Sequence, residues 1–413
     1  MPRRNGEKEA TGDLQPPFLR SGKVVSNRWK ISHRLGAGTF GEVYAADDRE
    51  LKITVALKIE LNNVANEEGL LKMEVEVLKE LSSRPYTPQL FACGKRSAFT
   101  YIVISRCGID LHTVKKESGI PHLSDSTVLR LAIHALYAMK QVHEIGYLHR
   151  DVKPSNMVFG ATVVDSKILY LIDYGLARRY AEKDAKSGKW MFRKAREKAE
   201  VRGTSRFCSL NIHLKSEQSR ADDMWAFVYS MIDLGPGLPW PKQARDDRVQ
   251  RMKEEVTDEK LLCGKLECFL PIIAHIRKMK FYDRPDYKFI YEKIMDSLKK
   301  KRVQFEDPYD WETKTATKTT GSFQASLHTA DDSGSTSGKE SHSNRHLSES
   351  TKGTTTTRGP SPPLVPQYPT ILAKHFDFQE SDIPSGDPKS PNMVPPSKRK
   401  GFVRKTVESE FLI

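Results

Sequence analysis

Leu148-His149-Arg150-Asp151-Val152-Lys153-Pro154-Ser155-Asn156-Met157, joined by the strand-like run Lys167–Ile172 to Asp173-Tyr174-Gly175, decides how this chain is read. One loop carries an aspartate, a lysine and an asparagine, and a second aspartate follows the run. Transfer of a phosphoryl group passes through a transition state whose charge lies on phosphate oxygens, so its catalyst mainly positions groups and neutralises charge. The residue types fit that demand. Asp151 can orient or accept the proton of an attacking hydroxyl, and Lys153 can place positive charge beside the phosphate. Asn156 and Asp173 offer hard oxygen atoms to a magnesium ion. An isolated Asp-Tyr-Gly would be an ordinary buried strand ending in a polar turn; coupled to the preceding loop at this spacing, it reads as a metal site.

Upstream, Leu35-Gly36-Ala37-Gly38-Thr39-Phe40-Gly41-Glu42-Val43 supplies Gly36, Gly38 and Gly41, where a missing Cβ lets backbone N–H groups approach phosphate oxygens. A dinucleotide-binding turn would open a helix directly after the third glycine. Here Val43-Tyr44, a turn at Asp47-Asp48 and a second strand-like run, Ile53–Ile59, follow instead. The pattern is strand, glycine turn, strand, turn, strand, and it puts Lys58 where an ammonium would meet the α and β phosphates of ATP. Its partner should be a carboxylate on the helix expected over Glu68–Leu81, whose apolar residues Leu70, Leu71, Val75, Leu78 and Leu81 recur near helical spacing. Glu74 and Glu76 both fall there, and the apolar stripe favours Glu74.

Two further helices frame the loop. Val128 to Val142 has an apolar face and runs into Gly146, a left-handed stop just before the catalytic residues. Met224 to Leu234 is apolar nearly all round and reads as buried, with Asp223 at its head accepting N–H groups from the loop. His149 reads as a packed, hydrogen-bonded histidine, not as a base.

Taken together, these motifs resemble the protein kinases, and more specifically the casein kinase 1 superfamily in its tau-tubulin-kinase branch. The activation segment ends in Gly203-Thr204-Ser205-Arg206-Phe207-Cys208-Ser209-Leu210-Asn211, similar to that superfamily's Ser-x-Asn in place of Ala-Pro-Glu. Ser219–Trp225, Gly237–Trp240, Asp283–Tyr287 and Tyr309–Glu312 complete a match spanning about Trp29 to Glu312. The resemblance implies an α+β, bilobal protein kinase fold: an N-lobe of small antiparallel β-sheet and one helix (29–104), then a larger, mainly helical C-lobe (105–312). It also implies ATP with Mg2+ and serine or threonine as acceptor, the latter through Lys153. For the adenine it implies a hinge at Ser105 and Cys107, Ile104 limiting the pocket, Val43 and Ala56 covering the purine, and Met157 or Ile172 on the other side. Arg206 matches a position that contacts a priming phosphate in relatives. Tyr174 departs from the family's usual phenylalanine, and the segment from Asp173 to Gly203 is longer and more basic than usual.

A chain of 413 residues accommodates one large domain plus tails. Residues 1–28 read as a flexible basic extension and 313–413 as a disordered tail rich in Ser, Thr, Pro and Lys. The net charge of +14 raises nucleic-acid binding, but no zinc spacing, aromatic RNA platform or basic zipper supports it. Acidic or phosphorylated protein segments, cytoskeletal ones included, suit the basic activation segment better. Five cysteines without metal spacing read as reduced thiols. Met1–Asn5 leads into charge, with no apolar run after it, so neither a signal peptide nor a membrane span is expected. A cytoplasmic monomer is expected, with Ser397–Lys405 as a candidate nuclear signal, Pro360–Pro366 as a candidate groove ligand and Phe411–Ile413 as a candidate sheet-edge ligand. A kinase-fold scaffold without catalysis is the competing class; it commonly lacks one of the residues found here as Lys58, Asp151, Asn156 and Asp173.

Overall fold

The computed structural model describes residues 18–38, 41–62, 69–316 and 365–387, together with short strands at 393–394 and 411–412. The chain forms two compact units, Met1–Ser83 with Pro88–Arg106 and Arg399–Ile413, and Arg84–Thr87 with Cys107–Lys398. The expected boundary at 104/105 thus falls two residues later, and Arg84–Thr87 belongs with the second unit.

In the first unit, β1 (Val24–Val25), β2 (Trp29–Gly38), β3 (Gly41–Asp48), β4 (Thr54–Leu61), β5 (Leu90–Lys95) and β6 (Phe99–Ser105) form an antiparallel sheet ordered β1-β2-β3-β4-β6-β5. Helix α1 (Leu70–Leu81) packs on β5 and β6, and Phe411–Leu412 pairs with Ala92 and Cys93 at the β5 edge. Tyr44, Ala46, Val55, Leu57, Ile59, Tyr101 and Val103 enter one closed apolar core with Trp29 and Ile31. Successive strand residues point to opposite faces, so Ala56 and Lys58, which alternate with them, lie on the other face.

The N-terminal extension needs correcting, because from Phe18 onward it is built into this unit. Leu19 enters the apolar core and its N–H donates to Tyr44 Oη at 2.9 Å, while Val24–Val25 pairs with β2. Leu19 and Val25 find an apolar sheet face to cover, and burying them offsets the entropy of ordering a charged segment. Asp48 pins the same corner, accepting from Arg28 Nε at 2.9 Å, Trp29 Nε1 at 3.0 Å and the N–H groups of Glu50 and Leu51. Burial by itself would raise this carboxyl, but those donors, Arg28 foremost, hold it down at about 2. A carboxyl lower in the folded than in the unfolded state contributes stability above the unfolded value and loses it as pH falls through the folded one. The protein is therefore expected to lose about 2 kcal/mol between about pH 4 and pH 2 through this group. Acid titration followed by tryptophan fluorescence checks this: Asp48→Asn should flatten the limb, and superimposable limbs would refute it.

The second unit contains β7 (Cys107–Asp110), α2 (Leu111–Ser118), α3 (Asp125–Glu144), β8 (Tyr147–Leu148), β9 (Met157–Gly160), β10 (Leu169–Leu171), β11 (Arg178–Arg179), β12 (Ala181–Lys183) and β13 (Trp190–Arg193). There follow α4 (Leu210–His213), α5 (Arg220–Leu234), α6 (Asp246–Glu255), α7 (Asp258–Leu262), α8 (Phe269–Lys278), α9 (Tyr287–Lys300) and α10 (Asp310–Ala316). α3 and α5 are buried along most of their lengths and pack on each other. α5 begins with a capping box between Ser219 and Asp222, which satisfies N–H groups at the buried helix start. Gly146 ends the α3 corner at φ +85°, where a Cβ would also strike the Ala181 carbonyl. Among the described residues no helix is long and apolar enough to cross a membrane.

The tail from 313 needs a second correction. α10 extends to Ala316, and residues 365–387 lie as a strap along α3, α9 and the β12–β13 hairpin. Phe376, 1% exposed, stacks on Tyr291 with centroids 4.6 Å apart and meets Tyr137 edge-on at 5.8 Å. Ile383 is fully buried in a cluster with Leu148, Tyr180, Ala181 and Phe192. Between these anchors Asp382 Oδ2 accepts from Lys140 Nζ and Arg284 Nη2, both at 3.1 Å, while Glu144 binds Arg284 at 2.6 Å and the Ile383 N–H at 2.7 Å. Average tail composition concealed this segment: Ile371, Phe376 and Ile383 are enough to cover a groove whose charged rim needs one more carboxylate. The candidate groove-ligand residues Pro360–Leu364 and the basic cluster at 397–405 lie outside the described residues, as does Ile413.

Candidate active site

The sheet register of the first unit assembles the nucleotide-side residues. Val43 pairs with Lys58, Lys58 with Ile102, and Ala56 with Ile104, so Val43, Ala56, Lys58 and Ile104 share one face, opposite the apolar core. α1 adds Glu74, 2% exposed, whose Oε2 receives Lys58 Nζ at 2.7 Å. Glu76 on the same helix is only half-buried, so helical register selects between the two glutamates.

Gly36 lies opposite Val43, and Gly38 opposite Gly41 at the hairpin end, with Thr39 and Phe40 outside the described residues. A Cβ on Gly41 would strike the Ile59 carbonyl, whereas a Cβ on Gly36 or Gly38 would meet nothing within 4 Å. Packing therefore explains Gly41 but not the other two; their open backbone suits a bound phosphate chain. Gly38→Ala is expected to raise the KM for ATP about tenfold or more with an unchanged melting temperature, measured by steady-state kinetics and calorimetry. A melting shift without a KM change would assign the glycine to folding. At the sheet end, the Ser105 N–H donates to the Gln89 carbonyl at 2.9 Å, so an adenine contact there falls to its own carbonyl.

The second unit assembles the phosphoryl-side residues. Cys107 pairs with Gly160 across β7 and β9, and burial pushes its thiol up to about 12. β9 and β10 form a hairpin in which Leu171 faces Met157, and the Ile172 N–H donates to the Asn156 carbonyl at 2.9 Å. That pairing brings Asn156 and Asp173 to the same hairpin end. The Asn156 amide nitrogen donates to the Asp151 carbonyl at 2.9 Å and points at Asp151 Oδ2 at 3.3 Å, which assigns Oδ1 as its hard donor. Asp173, at φ +69°, sits in the left-handed region. One amide oxygen and one carboxylate suit a magnesium ion better than a softer metal.

Asp151 is the hub. Oδ2 lies 2.6 Å from Lys153 Nζ, and Oδ1 accepts from the Thr204 N–H at 3.0 Å and its hydroxyl at 2.7 Å. Lys153 also donates to the Thr204 hydroxyl at 2.9 Å, closing the triangle. Thr204 was not singled out from the sequence; the signal available was Gly203, whose φ of +103° and close approach to the Arg150 carbonyl bring Thr204 to Asp151.

Asp223 fixes the loop from within α5. It accepts the N–H groups of His149 at 2.7 Å and Arg150 at 2.8 Å and meets His143 Nε2 at 3.0 Å. Burial would raise its carboxyl, yet the hydrogen bonds from His143 and the Arg150 N–H keep it below the usual range. His149 is fully buried: Nδ1 accepts from the Asp151 N–H at 3.2 Å, so Nε2 carries the proton toward the Ile172 carbonyl at 3.1 Å. Its role is packing, as with Tyr174, whose hydroxyl donates to the Leu171 carbonyl at 2.6 Å. Arg206 is turned inward, giving Nε and Nη2 to Asp233 Oδ1 at 3.2 and 2.6 Å and Nη1 to the Trp240 carbonyl at 2.6 Å. Its charge is already matched within the fold. All five cysteines are free thiols.

The family described as "Protein kinase domain" matches residues 29–307. A Caenorhabditis elegans protein provisionally named as a serine/threonine-protein kinase is 37% identical over 305 residues, 73% of this chain and 86% of that protein. A Dictyostelium discoideum protein with a similarly provisional serine/threonine-protein kinase name is 32% identical over 303 residues, 73% of this chain and 60% of that protein. An inactive tau-tubulin kinase of C. elegans is 33% identical over 252 residues, 59% of this chain and 87% of that protein. With Lys58 on Glu74 in one unit and Asn156 hydrogen-bonded to Asp151 in the other, this chain belongs to the protein kinase family and carries its ATP-dependent catalytic domain.

Proposed function

We propose that the chain transfers the γ-phosphoryl group of magnesium-bound ATP to serine and threonine hydroxyls of acidic or already phosphorylated protein segments, as a member of the tau-tubulin-kinase branch of the casein kinase 1 superfamily. The triangle of Asp151, Lys153 and Thr204 carries the reading. Lys153 stands 2.6 Å from Asp151, which supports a role as the cation beside a transferred phosphate. Magnesium held by Asn156 and Asp173 would neutralise phosphate charge. Acidic acceptors are supported by Lys183, Lys186, Lys189, Lys194 and Lys198, all exposed on the activation segment. Because Arg206 is spent on Asp233, these lysines rather than Arg206 supply the accessible field. Acidic cytoskeletal filaments fit such a field, and cytoplasm is the matching compartment.

A non-catalytic scaffold is the second reading, favoured by the name of the inactive relative. Every residue that the transfer needs is present here, which weighs against it. Labelled-phosphate transfer to casein and to an acidic serine peptide, with and without a priming phosphate, separates the two. Transfer that prefers the primed peptide, and loses the preference in Lys186→Glu/Lys189→Glu, is expected. No transfer by a folded, ATP-binding chain would make the scaffold the better description.

A further inference from the structure

α6 sends Lys253 into the second unit, where it is 7% exposed. Lysine is seldom buried without a carboxylate, and among the described residues none is in ion-pair contact with it. Its ammonium instead donates to the carbonyls of Ser205 at 2.7 Å and Cys208 at 2.6 Å and lies 3.2 Å from His213 Nε2. The rings of Tyr229 and Trp240 flank it, each centroid 5.1 Å away. Two backbone carbonyls of one loop are thus what this buried charge serves.

That loop starts immediately after Thr204, whose N–H and hydroxyl hold Asp151. Because Thr204 touches Asp151 itself, an acceptor whose hydroxyl reached Asp151 would lie beside Thr204 and the residues joined to it. Arg206 in the loop's middle is held by Asp233 and the Trp240 carbonyl, and Trp240 Nε1 donates back to the Arg206 carbonyl at 2.9 Å. Resting on the kinase reading above, we propose that Lys253 is a positioning residue for the protein acceptor: it clasps the Ser205 and Cys208 carbonyls so that the loop holds the shape the acceptor binds, and it leaves ATP binding alone.

The groups around Lys253 make the clasp sensitive to pH. Burial lowers its amine to about 8; Cys208 opposes this, Arg206 reinforces it, and Asp246 at the head of α6 opposes it. Burial, then Lys253, lowers His213, so its Nε2 offers a neutral lone pair, and burial raises the Cys208 thiol. Tyr229, raised by burial, stays an uncharged ring. The folded value lies below lysine's ordinary 10.5, so the unfolded chain holds the proton more tightly between about 8 and 10.5, and fold stability rises across that window. The charge-assisted grip on the carbonyls weakens over the same window. Acceptor affinity and stability should therefore move in opposite directions, which a lysine serving stability alone would not produce.

The test is steady-state kinetics of the full chain with an acidic serine peptide free of lysine, tyrosine and cysteine, varying peptide and ATP separately from pH 7 to pH 10. The acceptor KM is expected to rise about tenfold above pH 8 while the ATP KM and melting temperature hold or improve. Lys253→Met should show the raised acceptor KM at every pH, about tenfold or more, with kcat little changed. An acceptor KM level across this range in the wild-type chain would overturn the proposal, and that profile decides the question even if Lys253→Met does not fold. A wild-type chain that transfers nothing at all would overturn the kinase reading and this inference with it.

Discussion

Asp151→Asn is expected to cut phosphoryl transfer by about a thousandfold or more, the range lost with a general base, while leaving folding and ATP binding close to wild type. Asparagine keeps the shape of the side chain and one oxygen, so the Thr204 N–H and hydroxyl, now at 3.0 and 2.7 Å from Asp151 Oδ1, can still be accepted. The other position turns from an oxygen accepting Lys153 at 2.6 Å into an amide nitrogen facing an ammonium, two donors without an acceptor between them. Lys153 is then held by Thr204 alone within this triangle, and no carboxylate is left to take the proton from an attacking hydroxyl. The check is single-turnover transfer to casein beside a nucleotide-binding titration. Activity within tenfold of wild type would show that the aspartate is not the base, however well it is placed.

Asp382→Ala is expected to lower stability by about 3 kcal/mol, and the melting temperature by about 6–10 °C, because it breaks a buried ion network from outside the catalytic domain's matched length. Lys140 and Arg284 are balanced by Glu144 and Asp382, two positive groups against two negative ones, with side chains at most 11% exposed. Removing Asp382 leaves two buried cations to share Glu144, which also accepts the Ile383 N–H. Arg220 donates to the Ile383 and Pro384 carbonyls, and Ile383 packs on Tyr180 and Phe192 of the activation segment, so the loss should spread to that hairpin. Scanning calorimetry reads the shift, and hydrogen exchange at residues 181–193 reads the spread. A melting temperature within about one degree of wild type would mean that the strap contributes contact without stability.

The catalytic half of the site was legible because phosphoryl transfer fixes residue types at short spacings along the chain. Asp151, Lys153 and Asn156 lie in one loop, and Asp173 is one hairpin away, so local structure nearly suffices to assemble them. Glu74 was favoured over Glu76 by the apolar stripe of its helix, and the register of α1 brings it to Lys58. Thr204 was hidden, since its approach to Asp151 depends on a left-handed Gly203 packed against the Arg150 carbonyl. Lys253 was hidden for the same kind of reason: on an amphipathic helix an isolated lysine reads as solvated, and only the fold brings the Ser205 and Cys208 carbonyls to it.

The strap shows where composition misleads. A segment of mixed polarity cannot build a core of its own, yet Phe376 and Ile383 need only join one that exists. By itself, then, the sequence determined the kinase class of this protein, its α+β fold and the set of candidate groups for phosphate, because those depend on residue type and near-neighbour spacing. Tertiary structure alone decided that Thr204 reaches Asp151, that Arg206 spends its charge on Asp233, and that residues 18–28 and 365–387 are built into their units. Each of those outcomes is a competition between burial and desolvation among residues far apart in the chain, and only the packed arrangement sets the distances that settle it.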